Sequence, residues 1–436
     1  MSRAKGASRR RSLALVTLAA TAMAAEAHAG GFYLQEQSVR GTGRAYSGEV
    51  ADSGVASLWW NPAAIARSGR EAYVGLNGIF VGATAVDHGS TITYPLGDTV
   101  PIGGHPRANK PISPGLLPNF AIATPIGDRF ALGVSVTAPF NFTTKYDPQS
   151  WTRFDALTSN LRTIDTQLTA AMKVTDWLDL GVSANAEYVD ARLTGALPNF
   201  FSSQPEASND LSGNGWDWGW GVGAQAHFDR LTLGASYKSK IDHTLKGDIT
   251  IDGLLAPLPT AFNGSTGASA TYTTPWIAAF GARYALTDRL TLNGQVQRIG
   301  WGDFDAIRIA SDPLLSQTVP ENYHDVTTGG VGLDYVVNPA LTLRAGVQYD
   351  PTPTPRQNAS FRVPDNDRWL YGIGATGTIN DHMKIDAALL YINLKSRTID
   401  RETVFNAGTP AETTANLNGS VKGNGVVMSL GMRTSF

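Results

Sequence analysis

Two arginines in this chain sit where a charged side chain needs a reason. Arg308 closes the run Trp301-Gly302-Asp303-Phe304-Asp305-Ala306-Ile307-Arg308, and Arg192 ends an alternating stretch just after Tyr188. A guanidinium fork offers a carboxylate two parallel hydrogen bonds. Each also has acids close by in sequence, Asp303 and Asp305 for Arg308 and Asp190 for Arg192, and an internal ion pair is the competing reading. Apolar counterparts lie in two clusters. One holds Leu197, Pro198, Phe200 and Phe201; the other holds Leu254, Leu255, Pro257, Leu258, Pro259 and Phe262. Exposed apolar surface of this kind marks an interaction site, with mutual packing of the two clusters as the alternative. Bond-making chemistry finds no residues. The chain has no cysteine, and its seven histidines form no Ser–His or metal-ligand constellation. His227, His243, His324 and His382 stand singly near turns, strand ends or loops. No catalytic residue, metal or cofactor is therefore expected, and a net charge of −2 gives no basic footprint for nucleic acid.

The elements that must position these groups begin with an address. Residues 1–29 read as a secretory signal: Arg3, Lys5, Arg9, Arg10 and Arg11 precede an apolar run from Leu13 to Ala25, and Ala27-His28-Ala29 is a cleavage site. That run is too short to cross a bilayer, which takes ~20 residues. Residues 30–69 are rich in Gly, Ser and Ala, show no sustained alternation, and include Trp59-Trp60-Asn61-Pro62-Ala63. Residues 70–436 alternate. Leu178, Leu180, Val182, Ala184, Ala186 and Tyr188 share one face, while Asp179, Gly181, Ser183, Asn185 and Glu187 share the other. One apolar and one polar face over a long strand, with Tyr closing the apolar row, is the lipid-out, lumen-in pattern of a membrane barrel.

Tight turns built from Asp, Asn, Gly or Pro precede six such strands, at Gly127-Asp128, Thr175-Asp176, Phe228-Asp229, Thr287-Asp288, Asn338-Pro339 and Asn380-Asp381. Six turns on the periplasmic side, with both termini there, require seven outer loops and so fourteen strands. The predicted fold is all-β: a fourteen-stranded antiparallel transmembrane barrel, with the compact segment 30–69 as a plug in its lumen. A plugged barrel favours a gated, selective transporter over an open pore. The third strand carries a flaw. Phe130 to Phe142 reads as one strand interrupted by Pro139, which has no N–H for the ladder and implies a bulge or break.

Several motifs together resemble the FadL family of outer-membrane transporters for long-chain fatty acids and related hydrophobic compounds. They are Gly31-Phe32, Gly43-Arg44-Ala45-Tyr46-Ser47-Gly48, Asn61-Pro62-Ala63, and Pro353-x-Pro355 through Pro364-Asp365-Asn366-Asp367-Arg368 with Trp369. The resemblance covers the whole mature chain and implies a fourteen-stranded barrel with an N-terminal hatch. It places initial capture at the two apolar loops and an inner pocket at Phe32, Arg308 and, more weakly, Arg192. It further implies a sideways wall opening at Pro139, Phe140, Asn141 and Phe142, touched by a hatch gate at Asn61, Pro62 and Ala63. The expected partners are a hydrophobic small molecule, outer-membrane lipid and lipopolysaccharide, and, through the terminal Phe436, the barrel assembly machinery; the barrel is expected to be a monomer. Small aromatic hydrocarbons are the alternative cargo, and a general porin or an outer-membrane lipase are more distant readings.

Overall fold

The computed structural model describes residues 31–312 and 315–436, so the export signal at 1–29 lies outside the described residues. Fourteen antiparallel strands form the wall. In chain order they are β1 (Glu71–Asp87), β2 (Gly115–Ile126), β3 (Phe130–Thr137), β4 (Thr158–Lys173), β5 (Leu178–Leu197), β6 (Ala207–Phe228) and β7 (Leu231–Lys238). There follow β8 (Trp276–Ala285), β9 (Leu290–Gly300), β10 (Val326–Asn338), β11 (Leu341–Asp350), β12 (Arg368–Asn380), β13 (Met383–Leu394) and β14 (Thr413–Ser435). The sheet closes on itself: β1 pairs with β14 from Glu71↔Ser435 to Asp87↔Gly419. Closure gives every described wall strand a partner on both sides over at least part of its length, the arrangement that lets a sheet cross lipid.

Burial along the strands is inverted relative to a water-soluble sheet. On β5 the apolar row faces out, with Leu180 42 % and Val182 56 % exposed, while Glu187 on the polar row is 1 % exposed. Lipid replaces water as the solvent for the outer row, and the polar row meets the plug. Outward Trp216, Trp218 and Trp220 on β6 lie beside Tyr188, Tyr237 and Trp276, with ring contacts at 5.2 Å (Tyr188–Trp216) and 5.4 Å (Trp220–Tyr237). Such a belt suits the membrane interface, where an aromatic ring is amphipathic.

Inside, residues 31–66 are buried apart from Ser53 and Gly54 and wind through short helical turns rather than strands. Ser38 caps the helix Val39–Thr42 by accepting from Gly41 N (3.1 Å), and Asn61 caps the turn Pro62–Ile65 by accepting from Ala63 N (2.9 Å). The wall admits this backbone closely because its lumen row carries glycine. A Cβ at Gly346 would lie 2.0 Å from the Arg44 carbonyl oxygen, and one at Gly223 would lie 1.9 Å from Asn61 Oδ1.

Charge then fixes the plug. Arg44, fully buried, donates to Asp52 (2.5 Å), to Glu49, and to Asp334 on β10 (3.1 Å). Asp334 also receives Arg283 from β8 (2.8 Å), Arg344 from β11 (2.9 Å) and Asn293 from β9 (3.3 Å). One carboxylate thus ties the plug to three wall strands besides its own. Breaking a buried pair by removing one charge costs about 3–5 kcal/mol, since the partners keep uncompensated charge. Asp334→Asn is expected to leave a closed, heat-modifiable barrel with a loosened plug, and to raise single-channel conductance in planar bilayers. Conductance equal to that of the unmodified protein would show that the clamp does not hold the plug.

Candidate functional site

The wall has a break where Pro139 falls. β2 and β3 pair from Ile126↔Phe130 to Phe120↔Val136, and β3 and β4 pair as far as Thr137↔Asp165. Pairing with β4 resumes only at Phe142↔Leu161. Residues 138–141 leave the ladder and turn to the plug instead: Leu34 N donates to Pro139 O (2.7 Å), and Asn141 N donates to Phe32 O (3.1 Å). Side chains replace the missing rungs towards β4. Phe140 N donates to Thr163 Oγ1 (3.1 Å), Thr163 N donates to Asn141 Oδ1 (3.0 Å), and Asn141 Nδ2 donates to Ala138 O (3.0 Å). Towards β2 nothing equivalent exists until Ser113 N donates to Thr143 O (3.0 Å). The resulting gap between β2 and β3 is filled by Leu34, Leu117 and Ala138.

Phe32 anchors an aromatic partition across the lumen. Its ring meets Trp301 (4.9 Å), Phe304 (5.2 Å), Phe142 (5.9 Å) and Phe140 (6.0 Å) between centroids. Beside this partition lies a cavity. Phe32, Phe142 and Phe304 border it, with Leu193, Leu211, Leu245, Ile307 and Val363 among its apolar walls. Its polar groups include Arg362, Glu321, Asn358, Ser360, Tyr272 and Tyr323. An apolar chamber with a few polar groups is the form of a small-molecule site. Arg362 belongs to the proline-rich loop between β11 and β12, and its Nη1 donates to a hydroxyl, Ser159 Oγ (3.1 Å), not to a carboxylate. Burial pulls its pKa down from the usual guanidinium range, so the site favours a counter-anion.

Several expected site residues lie elsewhere. Arg308 does not line the cavity: its neighbour Ile307 does, and alternation along Ala306–Ala310 turns Arg308 to the opposite face. There it is 53 % exposed and paired with Asp305 at 2.5 Å, so the ion-pair alternative holds. Arg192 is likewise exposed and paired, with Asp210 across the β5–β6 ladder at 2.5 Å and not with Asp190. Phe140 and Phe142 are buried in the partition and do not line the gap to lipid, because the broken strand turns inward there. Asn61, Pro62 and Ala63 are held mainly by β5 and β6, while Ile65 of the same turn packs against Gly133 on the interrupted strand β3. Asn61 Nδ2 donates to Val50 O (2.7 Å) and to Ala224 O on β6 (3.1 Å), and Gly181 on β5 abuts Pro62 and Ala63. The partner of the break is the plug's first strand-like stretch, Phe32 to Leu34.

In the outer loops, Leu197, Phe200, Leu254, Leu258 and Phe262 pack into one cluster, leaving Phe201 and Leu255 exposed. Leu211 and Ala268 belong both to that cluster and to the cavity wall, so apolar surface runs from the outer loops to the cavity. His227 and His243 are not isolated: His227 Nε2 meets Asp179 at 2.9 Å, and His243 lies between Glu187 (3.4 Å) and Asp217 (3.3 Å). The arginine that sequence reasoning missed, Arg362, sits within the flagged run Pro353 to Arg368. An arginine in a proline-rich loop with no strand alternation was its available signal.

The chain matches the family model described as outer membrane protein transport protein (OMPP1/FadL/TodX) over residues 20–436. It is 25 % identical over 425 residues to the long-chain fatty acid transport protein of Escherichia coli, covering 87 % of this chain and 92 % of that one. Its fold is similar to that of a Pseudomonas aeruginosa FadL homologue, with TM-score 0.81 and 26 % identity over 93 % of this chain and 100 % of that one. The toluene transporter TbuX of Ralstonia pickettii shares the fold, with TM-score 0.63 at 18 % identity over 92 % and 98 % of the two chains.

Asn141 is the one side chain that both accepts from β4 and donates within the break. Replacing it with Leu keeps the volume and orphans Thr163 N, at about 1–3 kcal/mol for an unsatisfied buried group. Amide exchange at Thr163 is expected to speed up by roughly 5–150-fold in Asn141→Leu. Unchanged exchange there would mean that the neighbouring ladder alone holds the wall.

Proposed function

Because this chain belongs to the outer membrane protein transport family (OMPP1/FadL/TodX), we propose that it carries long-chain fatty acids inward across the outer membrane. The observation behind the choice of cargo is the pairing of a long apolar surface with a single arginine at the cavity wall. The acyl chain leaves water at Phe201 and Leu255, follows the loop cluster past Leu211 and Ala268, and fills the cavity. Transfer of apolar surface drives each step by roughly 25 cal/mol per Å². The carboxylate settles on Arg362, whose planar fork matches it.

Exit runs sideways through the gap between β2 and β3. Leu34 of the plug closes that gap from within, so withdrawing the stretch Phe32 to Leu34 from residues 139–141 would open the wall and unseat Phe32 from the partition together. The cargo then enters the outer membrane without crossing water. Small aromatic hydrocarbons are a second reading, favoured by the ring-lined end of the cavity at Phe32 and Phe304. A general porin is disfavoured by the packed plug. Lipopolysaccharide meets the outward aromatic belt, the barrel assembly machinery reads the exposed terminal Phe436, and the barrel acts as a monomer.

Arg362→Ala is expected to weaken binding of a fatty acid by roughly 10–150-fold, about 1.5–3 kcal/mol, with little change for its methyl ester. Arg308→Ala is expected to leave both ligands unaffected. Equal losses for acid and ester in Arg362→Ala would make the arginine a packing element only. For the exit, a Leu34→Cys, Leu117→Cys double variant is clean because the protein has no cysteine of its own. Oxidation is expected to stop uptake and reduction to restore it; uptake that persists through the cross-link would rule out this route.

A further inference from the structure

Glu321 is the one carboxyl among the residues that line the cavity, and it shares that wall with Arg362. Its backbone is held in place, with Glu321 N donating to Asp305 O (2.7 Å) directly after the short strand Gln317–Pro320. The neighbouring acid, Asp155, is engaged elsewhere: it accepts from Ser360 Oγ (2.8 Å) and Phe361 N (2.7 Å) and forms an ion pair with Arg401, whose Nε lies 3.2 Å away. Glu321 forms no ion pair among the described residues. We infer that Glu321 is the proton site of this cavity: docking of an anionic head group on Arg362 draws one proton from solvent onto Glu321, and release of the ligand returns it. This rests on the reading of Arg362 as the head-group anchor.

The physical reason is charge crowding in an apolar chamber. A ligand carboxylate and an ionised Glu321 would place two like charges in one poorly solvated space, which disfavours ionisation of the second. The charged groups facing Glu321 do not remove the conflict. Arg362 is neutralised by the ligand, Arg401 is committed to Asp155, and Asp155 itself adds negative charge. Arg397, on the same strand as Arg401, donates to the carbonyls of Asp365, Thr354 and Pro355. Tyr323, two residues on, has its phenol pushed up by burial and stays neutral.

In the empty cavity, burial pushes Glu321 up to about 7, Arg401 and Arg362 oppose the rise, and Asp155 adds to it. Below that pH the carboxyl already holds its proton, so binding takes up none. Above it, the free protein is ionised and the occupied one is protonated, so the complex holds up to one more proton than its separated parts. Affinity is then flat at low pH and falls by up to tenfold per unit as pH rises through the window between the free and occupied values.

Titration calorimetry of the full-length barrel in lipid nanodiscs, in buffers of different ionisation enthalpy, counts the protons. The probes are a medium-chain fatty acid and the alkanesulfonate of equal chain length, whose head stays charged throughout. At pH 8 the wild type is expected to take up close to one proton per bound sulfonate. Glu321→Gln is expected to take up none and to bind with an affinity independent of pH, while Glu321→Asp, which keeps a carboxyl, retains the uptake. Heat-modifiability checks that each variant is folded. Arg362-dependent binding without proton uptake in the wild type, or uptake that survives in Glu321→Gln, overturns the role of Glu321 alone. Anion binding that is indifferent to Arg362→Ala overturns the anchor and, with it, this inference.

Discussion

A carboxylate buried on the inner wall of a membrane barrel is shielded from water, and Asp334 is held there by Arg44, Arg283 and Arg344 together. Desolvating ions is expensive, and a buried network is retained only where geometry returns most of that energy through well-formed charge-assisted hydrogen bonds. The directional demand of three guanidiniums on one carboxylate sets the register of the plug against the wall. A second tether repeats the device above it: Arg368 pairs with Asp350 at 2.5 Å, and Asp350 also accepts from Gln35 at 3.4 Å. Between the two tethers the plug cannot slide, so Phe32 to Leu34 arrive at the wall break in one position.

That position couples two features usually considered separately. The backbone groups freed by Pro139 would be costly if left unpaired in a membrane protein. The plug and the side chains of Asn141 and Thr163 satisfy them, which makes the interruption tolerable without repairing the wall. Phe32 ends up in the aromatic partition while its own carbonyl accepts from Asn141. Anything that displaces Phe32 from the cavity side therefore strains the bonds that close the gap. Cavity and wall meet through one short stretch of chain.

The cavity obeys a different logic from the clamp. Its walls are largely apolar, and its charged groups sit outside the wall strands, Arg362 on the loop between β11 and β12 and Glu321 between β9 and β10. Loops supply specificity there because they are free of the two-residue alternation that a wall strand must keep. The same freedom puts Arg362 and Glu321, forty-one positions apart in the chain, on one surface.

Period-two alternation along strands such as β5, with a tight turn before each descending run, determined the class, strand number and closure of the barrel. Lipid on one face and a polar lumen on the other impose that pattern residue by residue, so it is written locally. The glycines of the lumen row at Gly223 and Gly346 and the proline at 139 were visible too, as was a compact segment unable to be a strand. Tertiary structure alone decided what those irregular pieces touch. Asn61-Pro62-Ala63 rests on β5 and β6 and Phe32 on the break because ion pairs to β10 and β8, some 290 positions away for Arg44 and Asp334, fix the plug. The family resemblance pointed to Arg308 as the anchor, yet a single alternation step turns it out to Asp305 and brings Ile307 in. Which face a side chain takes in an outer extension depends on pairing with a strand from another loop, here 269–271, as well as with its own return strand 317–320, and the first of these is not local to any window of the sequence.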